Sequence, residues 1–329
     1  MIKTLDQILE AVEYADLFPN GTKKELRNLL KQAHPDLHPD NTAKAQKAFI
    51  HINTLWNKKN SSPKKTPNTA HSTSEIITKK NEYRNLKTVR KNSGIQTYRG
   101  IDSNGHITYL LVATHPKIGE MLMEGVKNLK TVKSHLTTHY KEFFPDTTDA
   151  FRIAQNGQKL FGIAQTLTEK NYSLREVKED YPEGLDGRDV AWIYRRMLVS
   201  VGNMHDYGIG HGAPTLDAFL IKPETHELQL TNWQFSKELN NEISMVAPDV
   251  KHHYEADKVI TRKKDLQILS ETAFKLLRKD APRELKAFLK GMSRYPTETA
   301  QEGLYEFDEI LKNVYGPRKF HEFRMKRAD

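Results

Sequence analysis

Met204-His205-Asp206-Tyr207-Gly208-Ile209-Gly210-His211-Gly212-Ala213-Pro214-Thr215-Leu216-Asp217-Ala218-Phe219-Leu220-Ile221 reads as a loop entered from a long helix and left through a strand. Upstream, Trp192, Tyr194, Met197 and Leu198 fit the inner side of that helix. Downstream, Phe219 to Ile221 and Leu228 to Leu230 are short strand-like pieces in a region where helices dominate from Arg188 onward. On the other side the pattern changes. Ile95-Gln96-Thr97-Tyr98 and Ile107 to Ala113 flank the turn-forming Asp102-Ser103-Asn104-Gly105 and predict a hairpin. A helical pattern follows at Ile118 to Val132, then two apolar runs at Phe151 to Ala154 and Leu160 to Ala164. The order is a strand-rich lobe with one helix, about 80–168, followed by a helix-rich lobe, about 169–329.

Further outward lies a different kind of sequence. Leu5, Ile8, Leu9 and Val12 recur at the spacing of one helical face. Thr22-Lys23-Lys24-Glu25 has the form of a capping box and opens a second helix with Leu26, Leu29, Leu30 and Ala33 inward. Pro35 ends it, because proline disfavours the helical conformation of the preceding residue. A third helix is predicted from Thr42 to Trp56, with Ala45, Phe49, Ile52 and Trp56 on one side and Leu55 beside them. These three helices make a small antiparallel bundle over 1–58. Residues 59–79 contain little to bury, and Pro63 and Pro67 interrupt regular structure, so they are expected to form a flexible linker.

Two resemblances follow from these motifs. His34-Pro35-Asp36 lies between two helices, after a basic helix and before Lys47-Ala48-Phe49-Ile50-His51-Ile52-Asn53; the order and spacing resemble a J domain. That resemblance implies a co-chaperone that docks on a DnaK-type ATPase through Lys23, Lys24, Arg27 and Lys31, with His34, Pro35 and Asp36 favouring the partner's hydrolysis-competent state. Leu26 replaces an aromatic residue usual in the family, Leu30 replaces a small one, and the linker stands where many J domains have a fourth helix. The remainder resembles the protein kinase fold, as carried by some bacterial and phage J proteins. The fold class is therefore α+β: a helical J domain joined by a linker to a bilobal kinase-like domain.

Phosphoryl transfer needs a base, metal ligands and a lysine on the nucleotide phosphates. The kinase resemblance puts Ala213 at the base position, Ala218 at the amide position, Asn232 at the metal-binding aspartate and Val112 at the lysine. No Gly-x-Gly-x-x-Gly loop precedes Val112. Glu124 matches the helix glutamate that would pair with that lysine, with a solvent-facing helical residue as the plainer reading. His211 keeps a packing role, and Asp265 in Lys264-Asp265-Leu266 matches a buried aspartate of a later helix. Asp206 and Asp217 are the neighbours that a displaced base or ligand would use. The resemblance implies a pseudokinase that needs no cofactor and adapts the chaperone to an unknown client protein.

Composition sets the remaining bounds. The chain of 329 residues has a net charge of +9 and no cysteine, which excludes disulfides and thiolate chemistry. Residues 1–57 hold seven basic and seven acidic side chains, whereas 58–91 hold ten basic and two acidic. The basic stretch reads as a self-repelling tether. Its alternative is a nucleic-acid contact, shared with the tail Arg318-Lys319-Phe320-His321-Glu322-Phe323-Arg324-Met325-Lys326-Arg327, itself otherwise a frayed terminal helix. A second alternative leaves nucleotide binding or a non-standard transfer reaction in the kinase-like domain. His252-His253 and the scattered His135, His139, His205 and His211 match no common metal spacing and read as surface or core residues. No run reaches membrane-spanning length and the amino terminus lacks a signal-peptide pattern, so a cytoplasmic protein is expected.

Overall fold

The computed structural model describes residues 4–33, 37–38, 41, 44–45, 47–49, 51–52, 55–56, 75–92, 94–155, 158–167, 171–317 and 319–326. The chain divides into two compact units, Met1–His71 and Ser72–Asp329.

In the smaller unit, α1 (Leu5–Glu10) and α3 (Lys23–Gln32) form where the periodicity places helices. The Thr22 capping box is made: Glu25 N–H donates to Thr22 Oγ1 at 3.2 Å, and Thr22 N–H to Glu25 Oε2 at 3.0 Å. Those bonds satisfy donors that a helix start otherwise leaves open. Helical residues recur at 44–45, 47–49, 51–52 and 55–56. Ile8, Leu17, Phe18, Leu29, Ala33, Ala48, Ile52 and Leu55 form one core, with Tyr14, Phe49 and Trp56 against it. Val12 departs from the first helical pattern and is 77% exposed. The chain leaves α1 at Glu10 and makes a further short helix, α2 (Tyr14–Leu17), which Asp16 starts by accepting from the N–H groups of Val12 and Glu13. His34, Pro35 and Asp36 lie outside the described residues.

The larger unit begins with a six-stranded antiparallel sheet ordered β1-β2-β3-β4-β6-β5. Its strands are β1 (Glu75–Ile77), β2 (Glu82–Asn92), β3 (Ile95–Ile101), β4 (Ile107–Ala113), β5 (Asp146–Gln155) and β6 (Gln158–Thr166). Helix α4 (Pro116–His135) connects β4 to β5 by way of the short α5 (Thr138–Lys141). The expected linker 59–79 is therefore too long at its carboxyl end: Glu75–Ile77 pair with β2, Ile76 opposite Tyr83, and Ile76 is buried. The basic stretch 58–91 likewise ends in a strand, where Arg90 forms an ion pair with Glu176 at 2.7 Å.

Side chains alternate across β4. Tyr109, Leu111 and Ala113 pack with Ile118, Met121 and Leu122 of α4, while Leu110 and Val112 join Tyr83, Leu86 and Phe151 on the other face.

The helical part holds α6 (Leu174–Asp180), α7 (Gly187–Asp206), α8 (Arg262–Leu276), α9 (Arg283–Met292) and α10 (Ala300–Tyr315). Two small sheets accompany them: β7 (Tyr172–Ser173), β9 (Phe219–Lys222) and β10 (Glu227–Leu230) form one, and β8 (Ile209–Gly210) with β11 (Lys237–Glu238) the other. Tyr194, Met197 and Leu198 of α7 are core residues, packed with Leu266 and Leu269 of α8, Leu285 of α9 and Phe307 of α10. Trp192 packs against the edge of the same core. It is half-buried and stacks on His226, with ring centroids 4.2 Å apart, and Phe320 stacks on the same histidine at 4.5 Å. The tail 319–326 is neither helical nor detached: Phe323 and Met325 are buried, and His321 Nδ1 meets Asp189 Oδ1 at 2.9 Å. Among the described residues, no helix is long and apolar enough to cross a membrane.

Candidate functional site

The loop between β8 and β9 carries His211, Ala213, Asp217 and Ala218, and a buried carboxylate holds it. Asp265, in the first turn of α8 and fully buried, accepts from His211 N–H at 2.7 Å and Gly212 N–H at 2.9 Å, and meets His205 Nε2 at 3.0 Å. Gly212 is required there twice over. Its φ is +78°, and a Cβ would meet the Phe235 carbonyl oxygen at 2.6 Å. The His211 ring is buried, with Nε2 2.7 Å from the Thr231 carbonyl and Nδ1 3.4 Å from Ala213 N–H. One tautomer satisfies both: Nε2–H donates and Nδ1 accepts. Burial pulls the His211 pKa below its usual value, outweighing the nearby Asp265 charge, so the ring is neutral.

Next to this frame lies a cavity of about 140 Å³, lined in part by Arg175, Ala213, Thr215, Asp217, Asn232 and Asp249. Arg175 grips Asp217 with both arms of its guanidinium, at 2.7 and 2.6 Å, and reaches Asp249 at 2.8 Å. A planar fork matched to a carboxylate is the strongest form of such pairing. Hydrogen bonding to Asp217 raises the Arg175 pKa further, so the cavity contains a fixed cation between two carboxylates. Asn232 adopts a left-handed conformation, φ +60°, and its amide donates to the Asp217 carbonyl at 3.0 Å. The methyl groups of Ala213 and Ala218, both buried, offer neither a proton acceptor nor a metal ligand.

Of the residues named from sequence, Ala213, Asp217 and Asn232 line one cavity. His211, Asp265 and Ala218 frame the loop, and Ala218 is tied to Thr231 through backbone hydrogen bonding. Val112 is a correction: it faces away from α4, on the side of Tyr83 and Phe151, so Leu111 and not Val112 is turned toward the helix that carries Glu124. In either register β4 supplies no lysine. Glu124 has a different partner, Lys237 of β11, at 3.3 Å. Asp206 ends α7 exposed to solvent and lines another cavity. Arg175 and Asp249 were not foreseen, because spacing along the chain contains nothing that joins residue 175 to 217 and 249.

No protein-family model matches the chain, and no curated protein matches it by sequence. Among solved structures, the Toxoplasma gondii specific rhoptry antigen kinase domain aligns with a TM-score of 0.55 at 14% identity, over 73% of this chain and 85% of that one. The smaller unit, Met1–His71, is too short to supply such a share. The chain contains a protein-kinase-like fold. In the kinase-like unit, polar contacts join the strand-rich part to the helical part: Arg90 of β2 pairs with Glu176 of α6 at 2.7 Å, Glu124 of α4 with Lys237 of β11, and the Asn128 amide of α4 donates to the Ser236 carbonyl at 3.1 Å.

Proposed function

We propose that this chain is a cytoplasmic co-chaperone. Its amino-terminal unit is a J domain that stimulates a DnaK-type ATPase, and its kinase-like unit is a pseudokinase that holds a client protein. One observation carries the first half: His34-Pro35-Asp36 directly follows a helix whose polar side is cationic. In α3, Lys24, Arg27 and Lys31 are exposed while Leu29 and Ala33 on the opposite side are buried. Lys23 is the first residue of that helix. A proline between an imidazole and a carboxylate in the sequence narrows the backbone conformations open to the tripeptide. Stimulation then means tighter binding to the partner's hydrolysis-competent state than to its resting state.

The second half is supported by chemistry. Alanine stands at the expected base and amide positions, asparagine at the metal position, no lysine is present on β4, and Arg175 pairs with both carboxylates that line the cavity. A scaffold that holds a client on the same chain as the J domain raises the chaperone's local concentration at that client.

The test is steady-state ATP hydrolysis by a DnaK-type chaperone with added full-length protein. Acceleration is expected, with loss of at least tenfold of the effect in His34→Gln and a salt-sensitive weakening in Lys24→Glu/Arg27→Glu. Equal rates with and without the wild-type protein refute the reading.

A further inference from the structure

The segment before α8 brings two histidines onto one glutamate. His252 and His253 lie in a 3-10 helix, Pro248–Tyr254, and Glu271 lies on α8. His252 Nε2 is 3.1 Å and His253 Nε2 is 2.9 Å from the same oxygen, Glu271 Oε2. The three ligand atoms all fall within 4.8 Å of one another. We propose that His252, His253 and Glu271 form a binding site for a zinc-like divalent cation that clips the 3-10 segment to α8.

The geometry suits that chemistry. Tetrahedral zinc with bonds of 2.0–2.2 Å spaces its ligand atoms about 3.4 Å apart, and the two N···O separations here need only a few tenths of an ångström of expansion. Two imidazoles and one carboxylate are the donor set of a borderline metal, whereas magnesium and calcium take oxygen ligands. Three protein ligands leave a fourth position for water, on the side where His252 is 54% exposed. The carboxylate is divided between two tasks. Oε2 faces the imidazoles while Oε1 holds Lys275 Nζ at 2.7 Å, so a metal bound through Oε2 leaves the lysine pair intact. Binding exchanges two N–H···O bonds for two Nε2–metal bonds, the ring protons moving to Nδ1.

The other histidines lack this arrangement. His205 and His211 share Asp265, and His135 stacks on Tyr207. Among the described residues this is the one three-ligand cluster of metal-binding side chains. The chain has no cysteine, so no thiolate competes. The same 3-10 segment carries Asp249, the second carboxylate on Arg175, so a clip at His252 and His253 also holds one wall of the cavity beside Ala213.

The experiment is calorimetric titration of untagged full-length protein near neutral pH with zinc chloride, and with magnesium chloride as control. One zinc ion per chain is expected at micromolar affinity, with no magnesium binding at the same concentrations and a zinc-dependent rise in Tm. Glu271→Gln and His253→Gln are expected to weaken zinc at least tenfold. His252→Gln repeats the test at a side chain exposed enough that folding is not at stake. Lys275→Met removes a cation beside the site and is expected to tighten zinc several-fold. Absence of zinc binding by the wild type, or undiminished binding in both His252→Gln and Glu271→Gln, overturns the site.

Discussion

At the scale of single residues, Asp265 and His211 organise the loop that everything else around the cavity depends on. The carboxylate collects two backbone donors and one imidazole, and the neutral His211 ring spans from Ala213 N–H to the Thr231 carbonyl. This has a consequence for pH. Burial lowers the His211 pKa from its ordinary value of 6.5, and burial does the same for His226 and His253. A histidine with a depressed folded-state pKa takes up its proton first in the unfolded chain. Its contribution is therefore complete above the unfolded value and is lost as pH falls below it. Urea unfolding is expected to show lower stability at pH 5 than at pH 7. His211→Gln, which keeps a donor for Thr231, is expected to start lower and to depend less steeply on pH. An unchanged slope in that variant counts against a neutral buried ring. Glu271 adds nothing in this window: burial raises its pKa, but hydrogen bonds from Lys275, His253 and His252 prevail and hold it at about 2. Its loss belongs to much lower pH.

At the scale of elements, close approach matters more than propensity. Gly125 in α4 lies against the 3-10 turn Trp233–Phe235, and a Cβ there would sit 2.1 Å from the Trp233 carbonyl oxygen. Gly291 in α9 has open space around the same position. Alanine raises helix propensity at both sites by roughly 0.5–1 kcal/mol. The outcomes are expected to diverge: Gly291→Ala stabilises by about that amount, whereas Gly125→Ala destabilises by about 1–3 kcal/mol because α4 must move off backbone atoms. Denaturant midpoints measure both, and a gain in each would mean that α4 is not seated on the turn.

Elements also differ in how far the sequence discloses them. Helices α3, α4 and α7 and strands β3, β4, β5, β6, β9 and β10 follow apolar periodicity, because each has one face or both faces in a core. Strand β2 does not show in the apolar pattern. Its sequence is mostly polar, and Asn85, at φ +55°, sits in a register shift between Arg84 and Lys87, so buried Tyr83 and Leu86 are three residues apart and not two. Helix α2 is too short to show a period, and the same is true of β1. The phase of β4, with Leu111 toward α4 and Val112 away from it, is not legible in the sequence, because a strand with both faces covered has no polar side to set it.

At the scale of the whole molecule, the candidate site divides in the same way. The loop from His211 to Ala218 is legible as one contiguous stretch, with Ala213 and Ala218 inside it. The Arg175 clamp on Asp217 and Asp249 is not, since it joins three distant elements through tertiary packing alone. That clamp bears on what the molecule does with nucleotide. Magnesium-ATP needs carboxylates free to bind the cation, and both carboxylates at the cavity already face a guanidinium. A ligand at a hundred times its Kd stabilises its host by about 2.7 kcal/mol, which for a unit of this size is a rise of roughly 5–10 °C in Tm. With the full chain in millimolar ATP and magnesium, the expected shift is below about 1 °C, consistent with a Kd no tighter than millimolar. A shift of several degrees would mean that the cavity opens to nucleotide despite Arg175, and the kinase-like unit would then have to be read as a nucleotide-binding module and not as a client scaffold.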